Sequence, residues 1–420
     1  MKAYLVALMF WVSICVGWTP AAQAAEVRVS PKVFSVEPIG RYDRARLAAI
    51  VNGELKQFLA GSSAGFGRFE GRFAQARYEV DLYRVRYLTV VPELGNRSVT
   101  ASGLLALPVG AEATLPLISY QHGTVFEKES VPSRPDQSME TRLVLAQFAG
   151  QGYAVIAADY LGLGDSDLPN SYFVMQSTEQ VTFDLYAAAL SALAQQGRKV
   201  SAVATLGWSQ GGYSNMILLR KLEREGIPVA ASVTAAGAVD LGLFILRGIT
   251  NPRPIDAVFR SAALSNMLFA FEHYRQRPGL ANEALRPEFF AIARAFYEFR
   301  VGFGDYMNRV PVDPNQVLRP QFIAQMTQGA GPFLAILDQS ASYRWLSKTP
   351  LRAYYGGRDE AMPDFIARMA VDYQQALGKR NGEALSAGAD ADHRDTFVHA
   401  LIDAKPWIDQ QVARPAAPAR

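Results

Sequence analysis

Between residues 115 and 237, short apolar runs alternate with segments of helical period. "LPLISYQ" (115–121), "GYAVIAAD" (152–159), "KVSAVATLG" (199–207) and "VAASVTAAG" (229–237) read as strands. Helical patterns separate them, near 138–150, over 175–196 and from Tyr213 to a stop at Gly226. A strand covered on both faces loses its polar alternation and becomes a continuous apolar run. Strand and helix taking turns imply βαβ crossovers, hence a mostly parallel sheet with helices on both faces. The predicted fold class is therefore α/β.

The flanks extend this plan. "YEVDLYRVRYLTVV" (78–91) and "SVTASGLLALP" (98–108), joined by "PELGNR", predict an antiparallel hairpin. From about 240 to 345 the alternation stops, and the chain reads as helices and loops rich in Phe, Tyr and Met. "RPEFFAIARAFYEF" sets Phe289, Ile292, Ala293 and Phe296 on one helical face. Core packing is the plainer account of these aromatics, although a cap over a pocket would use them too. The sheet pattern resumes at "PLRAYYGGRD" (350–359). "MPDFIARMAVDYQQALG" follows as a helix, then a strand in "EALSAGAD" and a helix through "TFVHALIDAKPWID". The expected divisions are a leader (1–24), an N-terminal extension (25–77), a core (78–240 and 346–412), a helical cap (241–345) and a disordered tail (413–420).

The first 24 residues have the form of a secretory leader. One Lys precedes an apolar run from Tyr4 to about Trp18, and Ala22-Gln23-Ala24 follows, so cleavage is expected after Ala24. The run is short of the ~20 residues that a membrane span needs. Cys15 is the only cysteine, and it falls inside the leader; Ile14 is too bulky for a lipoprotein signal there. The mature chain would hold no thiol, hence no disulfide and no Cys-based metal site. A periplasmic or secreted protein is expected, with no stable membrane span. The 420 residues are half hydrophobic, enough for a large core, and the net charge is only +3. Nothing in that balance calls for nucleic acid as a partner.

"ATLGWSQGGYSNMILL" (204–219) places Ser209 between Gly207 and Gly211 at a strand–helix junction. Gly-x-Ser-x-Gly alone is a weak signal, but this context is that of a nucleophile elbow. The residues two before and two after the serine must be tiny, and the N–H of Gln210 would sit at a helix N-terminus, where an oxyanion is favoured. An ordinary turn or N-cap serine is the alternative. A serine nucleophile needs a base and the base an orienter. In chain order these follow the serine, which excludes His122. Of the late pair, His393 lies in a polar loop before the last helix and His399 within the helix, so His393 is preferred; His273 falls in the cap. Asp359, at the end of "RAYYGGRDE", is the preferred acid. Glu360, Asp364, Asp338, Asp390, Asp392 and Asp395 are rivals. "QHGTVF" offers the N–H of Thr124 as a second oxyanion donor, with His122 orienting the loop. "DYLGLGDSDLP" (159–169) lacks the glycine spacing and following helix of a nucleotide loop, and reads as a rigid loop beside the site. No metal constellation or cofactor is implied.

The ordered set "ASGLLALP", "SYQHGTVF", "GYAVIAADYLGLGDSD", "GWSQGG", "YYGGRDEAMP" and "DHRDTF" resembles secreted α/β-hydrolases of the secretory lipase type. The likeness runs from about 78 to 400. It implies an α/β-hydrolase fold with a helical cap insertion, a carboxylic ester hydrolase activity, the triad Ser209, Asp359 and His393, and Thr124 and Gln210 as oxyanion donors. The substrate would be a small-molecule ester or acylglycerol. Fungal members carry disulfides, which the mature chain cannot. A serine peptidase of prolyl-peptidase type and a non-catalytic binding protein on the same fold are the alternatives.

Overall fold

The computed structural model describes residues 33–414. The leader with Cys15 and its cleavage site, and positions 415–420 of the expected tail, lie outside the described residues.

The strands are β1 (Phe34–Tyr42), β2 (Val80–Val91), β3 (Arg97–Pro108), β4 (Thr114–Gln121), β5 (Ala154–Ala158), β6 (Lys199–Trp208), β7 (Ala231–Ala235), β8 (Leu351–Tyr355) and β9 (Gly382–Ser386). Among the described residues they form one nine-stranded sheet, in the order β1-β2-β3-β5-β4-β6-β7-β8-β9. β2 and β3 are an antiparallel hairpin in register from Val80↔Pro108 to Val91↔Arg97. From β5 to β9 all neighbours are parallel. This is the α/β-hydrolase fold.

Alternate side chains point to opposite faces, and both faces are covered. On β4, Leu115 and Leu117 join one apolar cluster, and Ile118 and Tyr120 the other. The Met175–Gln195 and Gln210–Arg224 helices cover the first face with Val181, Leu185, Ile217 and Leu218. The Met139–Gln147 and His393–Val412 helices cover the second with Leu143, Val144, Phe397 and Leu401. The chain leaves β4 toward β5 on one side, then returns past it to β6 on the other. That reversal opens a crevice at the carboxyl ends of β4 and β6, where ligand sites of open parallel sheets form.

Four sequence expectations change. β1 pairs with β2, so the sheet starts well before residue 78. The segment after β1 is no detached extension: Leu47, Ile50, Leu55 and Phe69 are buried in the second cluster. The single helix expected after Met362 is two short ones, Asp364–Ala367 and Met369–Ala376. And the last helix begins at His393 itself, not beyond it.

Between β7 and β8 the chain runs through helices from Leu241–Thr250 to Pro332–Gln339. Phe271, Phe296, Tyr306 and Phe333 are almost wholly buried there, while Phe289 is half-buried. Most of the cap aromatics are thus core. The cap docks on the core through hydroxyls: Tyr274 donates to the Pro169 carbonyl at 2.6 Å and Tyr297 to that of Asn170 at 2.8 Å. No described helix is long and apolar enough to cross a membrane.

Candidate active site

β6 ends at Trp208 and the Gln210–Arg224 helix begins two residues later, so Ser209 makes the whole turn. It does so at φ 57°, ψ −119°, a conformation that a side-chain-bearing residue rarely adopts. Its N–H donates to the Ala235 carbonyl at 2.9 Å, and its carbonyl accepts from Gly212 at 2.9 Å and Ala238 at 3.2 Å. The backbone around it leaves no space. A Cβ at Gly207 would lie 2.0 Å from the Gly211 carbonyl oxygen, and one at Gly211 would lie 1.8 Å from that of Gln121. Ser209 is half-buried. Gln210 opens the helix, so its N–H is among the four that the helix cannot pair internally.

Asp359 lies on the loop after β8, and His393 is the first residue of its helix. The His393 Nδ1–H donates to both Asp359 carboxylate oxygens, 3.0 Å each. Both residues are buried. Asp359 is held in turn by the N–H groups of Ala361 and Met362, at 2.9 and 2.6 Å from Oδ1. Burial works against a charged His393, but the facing Asp359 outweighs it, with Glu360 and Asp392 adding, and the net pKa is raised above the ordinary 6.5. Asp392 caps the helix, accepting from the N–H groups of Arg394 and Asp395, while Asp395 accepts from the Asp392 N–H. This capping box points the first turn, and so the imidazole.

Trp208 ties the two halves together. Its indole packs on the His393 ring at 5.0 Å, stacks on Phe397 at 4.7 Å, and donates Nε1–H to the His393 carbonyl at 3.2 Å. On its other side lies Gly123, where a Cβ would meet the indole at 3.2 Å. The loop after β4, the elbow after β6 and the head of the last helix therefore converge on one ring. Thr124 is half-buried at the crevice, its hydroxyl 2.8 Å from that of Tyr172. Ser209, Asp359, His393, Thr124 and Gln210 all belong to this one edge of the sheet.

The remaining candidates are elsewhere or otherwise engaged. His399 is inside the last helix against Tyr354, and His273 is in the cap. Asp390 pairs with Arg68, Asp338 with Arg344, and Asp364 begins a short helix. Asp392 and Asp395 also receive the N–H groups of Ser63 and Ala64, at 2.7 and 2.8 Å, so the chain's N-terminal segment clips onto the His393 helix. The 159–169 loop is anchored at its start: the buried Asp159 carboxylate accepts from the Ser102 hydroxyl at 2.5 Å and the Ser133 N–H at 2.9 Å.

Sequence reasoning missed several supports. Glu360, weighed only as a rival acid, accepts the His393 backbone N–H at 3.1 Å. Arg253, in the cap, donates to the Asp359 carbonyl at 2.8 Å and pairs with the buried Asp256, and the Ala257 N–H donates to the Glu360 carbonyl at 2.9 Å. The cap is thereby pinned to the acid loop. Glu140, a charge beside the apolar stretch of the Met139–Gln147 helix, accepts the Gly123 N–H at 3.0 Å and the Tyr120 hydroxyl at 2.6 Å. A buried acid in such a helix is a signal, but one that does not name its partner. A cleft of 680 Å³ at the seam of cap and core has Lys128, Asp167, Phe269 and Arg294 in its walls, and none of the three triad candidates lines it.

The fold is shared by solved proteins of low identity. A protein from Legionella pneumophila subsp. pneumophila with a provisional hydrolase assignment superposes with a TM-score of 0.80 at 21% identity, over 92% of this chain and 100% of that one. The rice cell wall degrading esterase LipA from Xanthomonas oryzae gives 0.76 at 21%, over 91% and 99%. Candida antarctica lipase A in its closed state gives 0.64 at 16%, over 80% and 79%. No curated protein sequence matches the chain. Residues 122–401 match the sequence family described as the alpha/beta hydrolase family, a span that takes in the loop after β4, the elbow, the acid and the histidine. The chain belongs to that family.

Proposed function

We propose that this protein is an exported serine hydrolase that cleaves carboxylic esters, an esterase or lipase of the secretory lipase type. One observation carries the reading: a buried carboxylate–imidazole pair packs on Trp208, and the residue after Trp208 is a serine at positive φ on a strand–helix turn. Such strain persists only where the surroundings over-determine it, and it clusters at functional sites.

In this reading Ser209 Oγ attacks the ester carbonyl carbon while His393 Nε2 takes the hydroxyl proton. Asp359 keeps Nδ1 protonated and stabilises the imidazolium that forms. The N–H groups of Thr124 and Gln210 receive the oxyanion. The imidazolium then passes its proton to the departing alcohol, leaving an acyl group on Ser209. Water, deprotonated by His393, attacks that acyl carbon and releases the acid. The named esterase and lipase among the structural neighbours favour an ester over an amide bond. Phe126, two residues past Thr124, packs on Phe259 and stacks on Phe303 of the cap, and apolar rings this close in sequence to the proposed oxyanion donor suit an acyl chain or aromatic ester, including acylglycerols. The leader-like first 24 residues support export.

Ser209→Ala tests the reading directly. Turnover of p-nitrophenyl esters should vanish with circular dichroism and melting temperature unchanged. A fluorophosphonate probe should label the wild-type protein at Ser209 and leave the variant unlabelled. Retained turnover in the variant would remove Ser209 from the chemistry.

A further inference from the structure

We propose that the Trp208 indole is a cation–π partner of His393, its face stabilising the charged ring that exists while the ester bond is being broken. The proposal deepens the esterase reading and rests on it for the step in which His393 gains its proton.

Many side chains could fill the space beside the base. The one that stands there has the strongest cation-attracting face of the ordinary residues. The indole and imidazole centroids are 5.0 Å apart, with the ring planes inclined by 35°. An aromatic face attracts a cation within about 6 Å of its centroid, and the attraction grows as water is excluded. His393 is buried and Trp208 half-buried, so little water lies between them to screen it. A contact on the face of the imidazole also uses none of its hydrogen-bonding sites. Nδ1 is engaged by Asp359, and Nε2 is left for the Ser209 proton. The carboxylate therefore acts in the plane of the ring, and the indole acts from outside that plane.

The indole is held where this contact needs it. Its Nε1–H donates to the His393 carbonyl at 3.2 Å, so it is tied to the residue whose side chain it faces. Phe397, four residues on and hence on the same face of the last helix, stacks on it at 4.7 Å. Phe58 meets it edge-on at 6.0 Å and 72°. Gly123 backs it so closely that an added Cβ would lie 3.2 Å from the ring. A quadrupole fixed in this way needs no reorganisation when the proton arrives. The charged and titratable groups about His393 are Asp359 and Glu360 after β8, Asp392 at the head of its own helix, Glu140 on the Met139–Gln147 helix, and the cap's Arg253 behind Asp359. These act through full charges. Trp208 acts through π-electron density, which can be varied while every one of those charges stays in place. It is a positioning residue that works through His393.

Fluorination tests the face alone. Each ring fluorine withdraws π density and leaves the indole's outline nearly unchanged and its N–H in place, if anything a stronger donor. Tryptophans carrying from one to four ring fluorines are inserted at position 208 by nonsense suppression. The chain has four histidines, so the His393 ring can be titrated by NMR in histidine-labelled protein, its signal assigned by its loss in His393→Gln. The His393 pKa should fall with each fluorine, by about 0.5–1 unit across the series, because the charged form loses its partner. The acid limb of kcat/KM should move to lower pH by the same amount. On p-nitrophenyl butyrate the plateau kcat should fall in step, by about 3- to 30-fold, with KM within about threefold. Trp208→Phe should lie between wild type and Trp208→Leu in His393 pKa. A pKa and a kcat that stay flat across the fluorinated series, or losses that follow melting temperature in place of fluorine number, would overturn the proposal. So would equal His393 pKa values in the Phe and Leu variants. The two readings fail separately. Activity surviving in Ser209→Ala ends the esterase mechanism while the NMR series still decides the contact, and a flat NMR series ends the contact while ester hydrolysis stands.

Discussion

The two arms of the proposed site, the turn at Ser209 and the Asp359–His393 pair, are built by different physics. Around Ser209 everything is shape. Within a few residues, backbone approaches backbone so closely that Cβ atoms at Gly207 and Gly211 would come within 2.0 and 1.8 Å of carbonyl oxygens, and one at Gly212 within 2.5 Å of the Gly237 Cα. Around His393 everything is charge and hydrogen bonding. Asp359 and His393 are 34 residues apart and meet only because N–H groups, carboxylates and a cap arginine hold each to the other. Contacts of the first kind are all-or-none, since a carbonyl cannot move out of the way. Contacts of the second kind are graded, and they respond to pH.

That contrast can be broken by experiment. Gly211→Val should have the largest effect: overpacking against backbone costs about 3 kcal/mol or more, so soluble, active protein should be lost, with a fall in melting temperature read by calorimetry. A fully active Gly211→Ala would refute the steric account. Asp359→Asn should leave the fold intact but lower kcat/KM by about 10⁴-fold, because the imidazole loses its correct tautomer. Stopped ester assays beside circular dichroism would separate this from misfolding.

The pH profile sharpens the same point. In the proposed mechanism hydrolysis needs neutral His393, whose pKa is raised, so kcat/KM should fall as pH drops through a value above 6.5. The charged ring is the form that the facing carboxylates favour, so this histidine adds to stability below its unfolded pKa and loses that contribution as pH rises through its folded one. Glu360→Gln should move the acid limb to lower pH and lower kcat by about tenfold, because the neutral amide holds the His393 N–H more weakly than a carboxylate does. The smallest effect belongs to Arg253→Ala. Losing a charged donor on the Asp359 carbonyl should cost about 1–2 kcal/mol, visible as a melting shift of a few degrees, with kcat falling only severalfold. A loss as large as that of Asp359→Asn would mean that the cap, rather than the core, sets the acid's position.

The shape-built arm was legible in the sequence and the charge-built arm only partly so. Gly207, Ser209 and Gly211 sit within five residues between a strand and a helix, so spacing alone states the geometry. Asp359 was readable because a strand running into Gly-Gly leaves its carboxylate on the right edge. The sequence pattern puts His393 in a loop, yet it is the first residue of a helix; the Asp392–Asp395 box that starts the helix lacks the usual Ser or Thr and Glu, and so gives a weak signal. β1 was missed for a similar reason. "FSVEPIGRY" carries Pro38 and Gly40, which flank a break in its register, and its side chains are largely exposed, so no clean alternation betrays it. The roles of Glu140, Glu360 and Arg253 depend on partners that only folding brings near, and no local pattern encodes them.

The head of the final helix carries one more consequence. It supplies the proposed base, and it is translated after both the serine and the acid. A polypeptide still emerging from the ribosome already contains its hydroxyl and its carboxylate but has no proton acceptor between them. In the proposed mechanism ester cleavage therefore waits for residue 393, and removal of the His393–Val412 helix would silence the molecule while leaving all nine described strands in place.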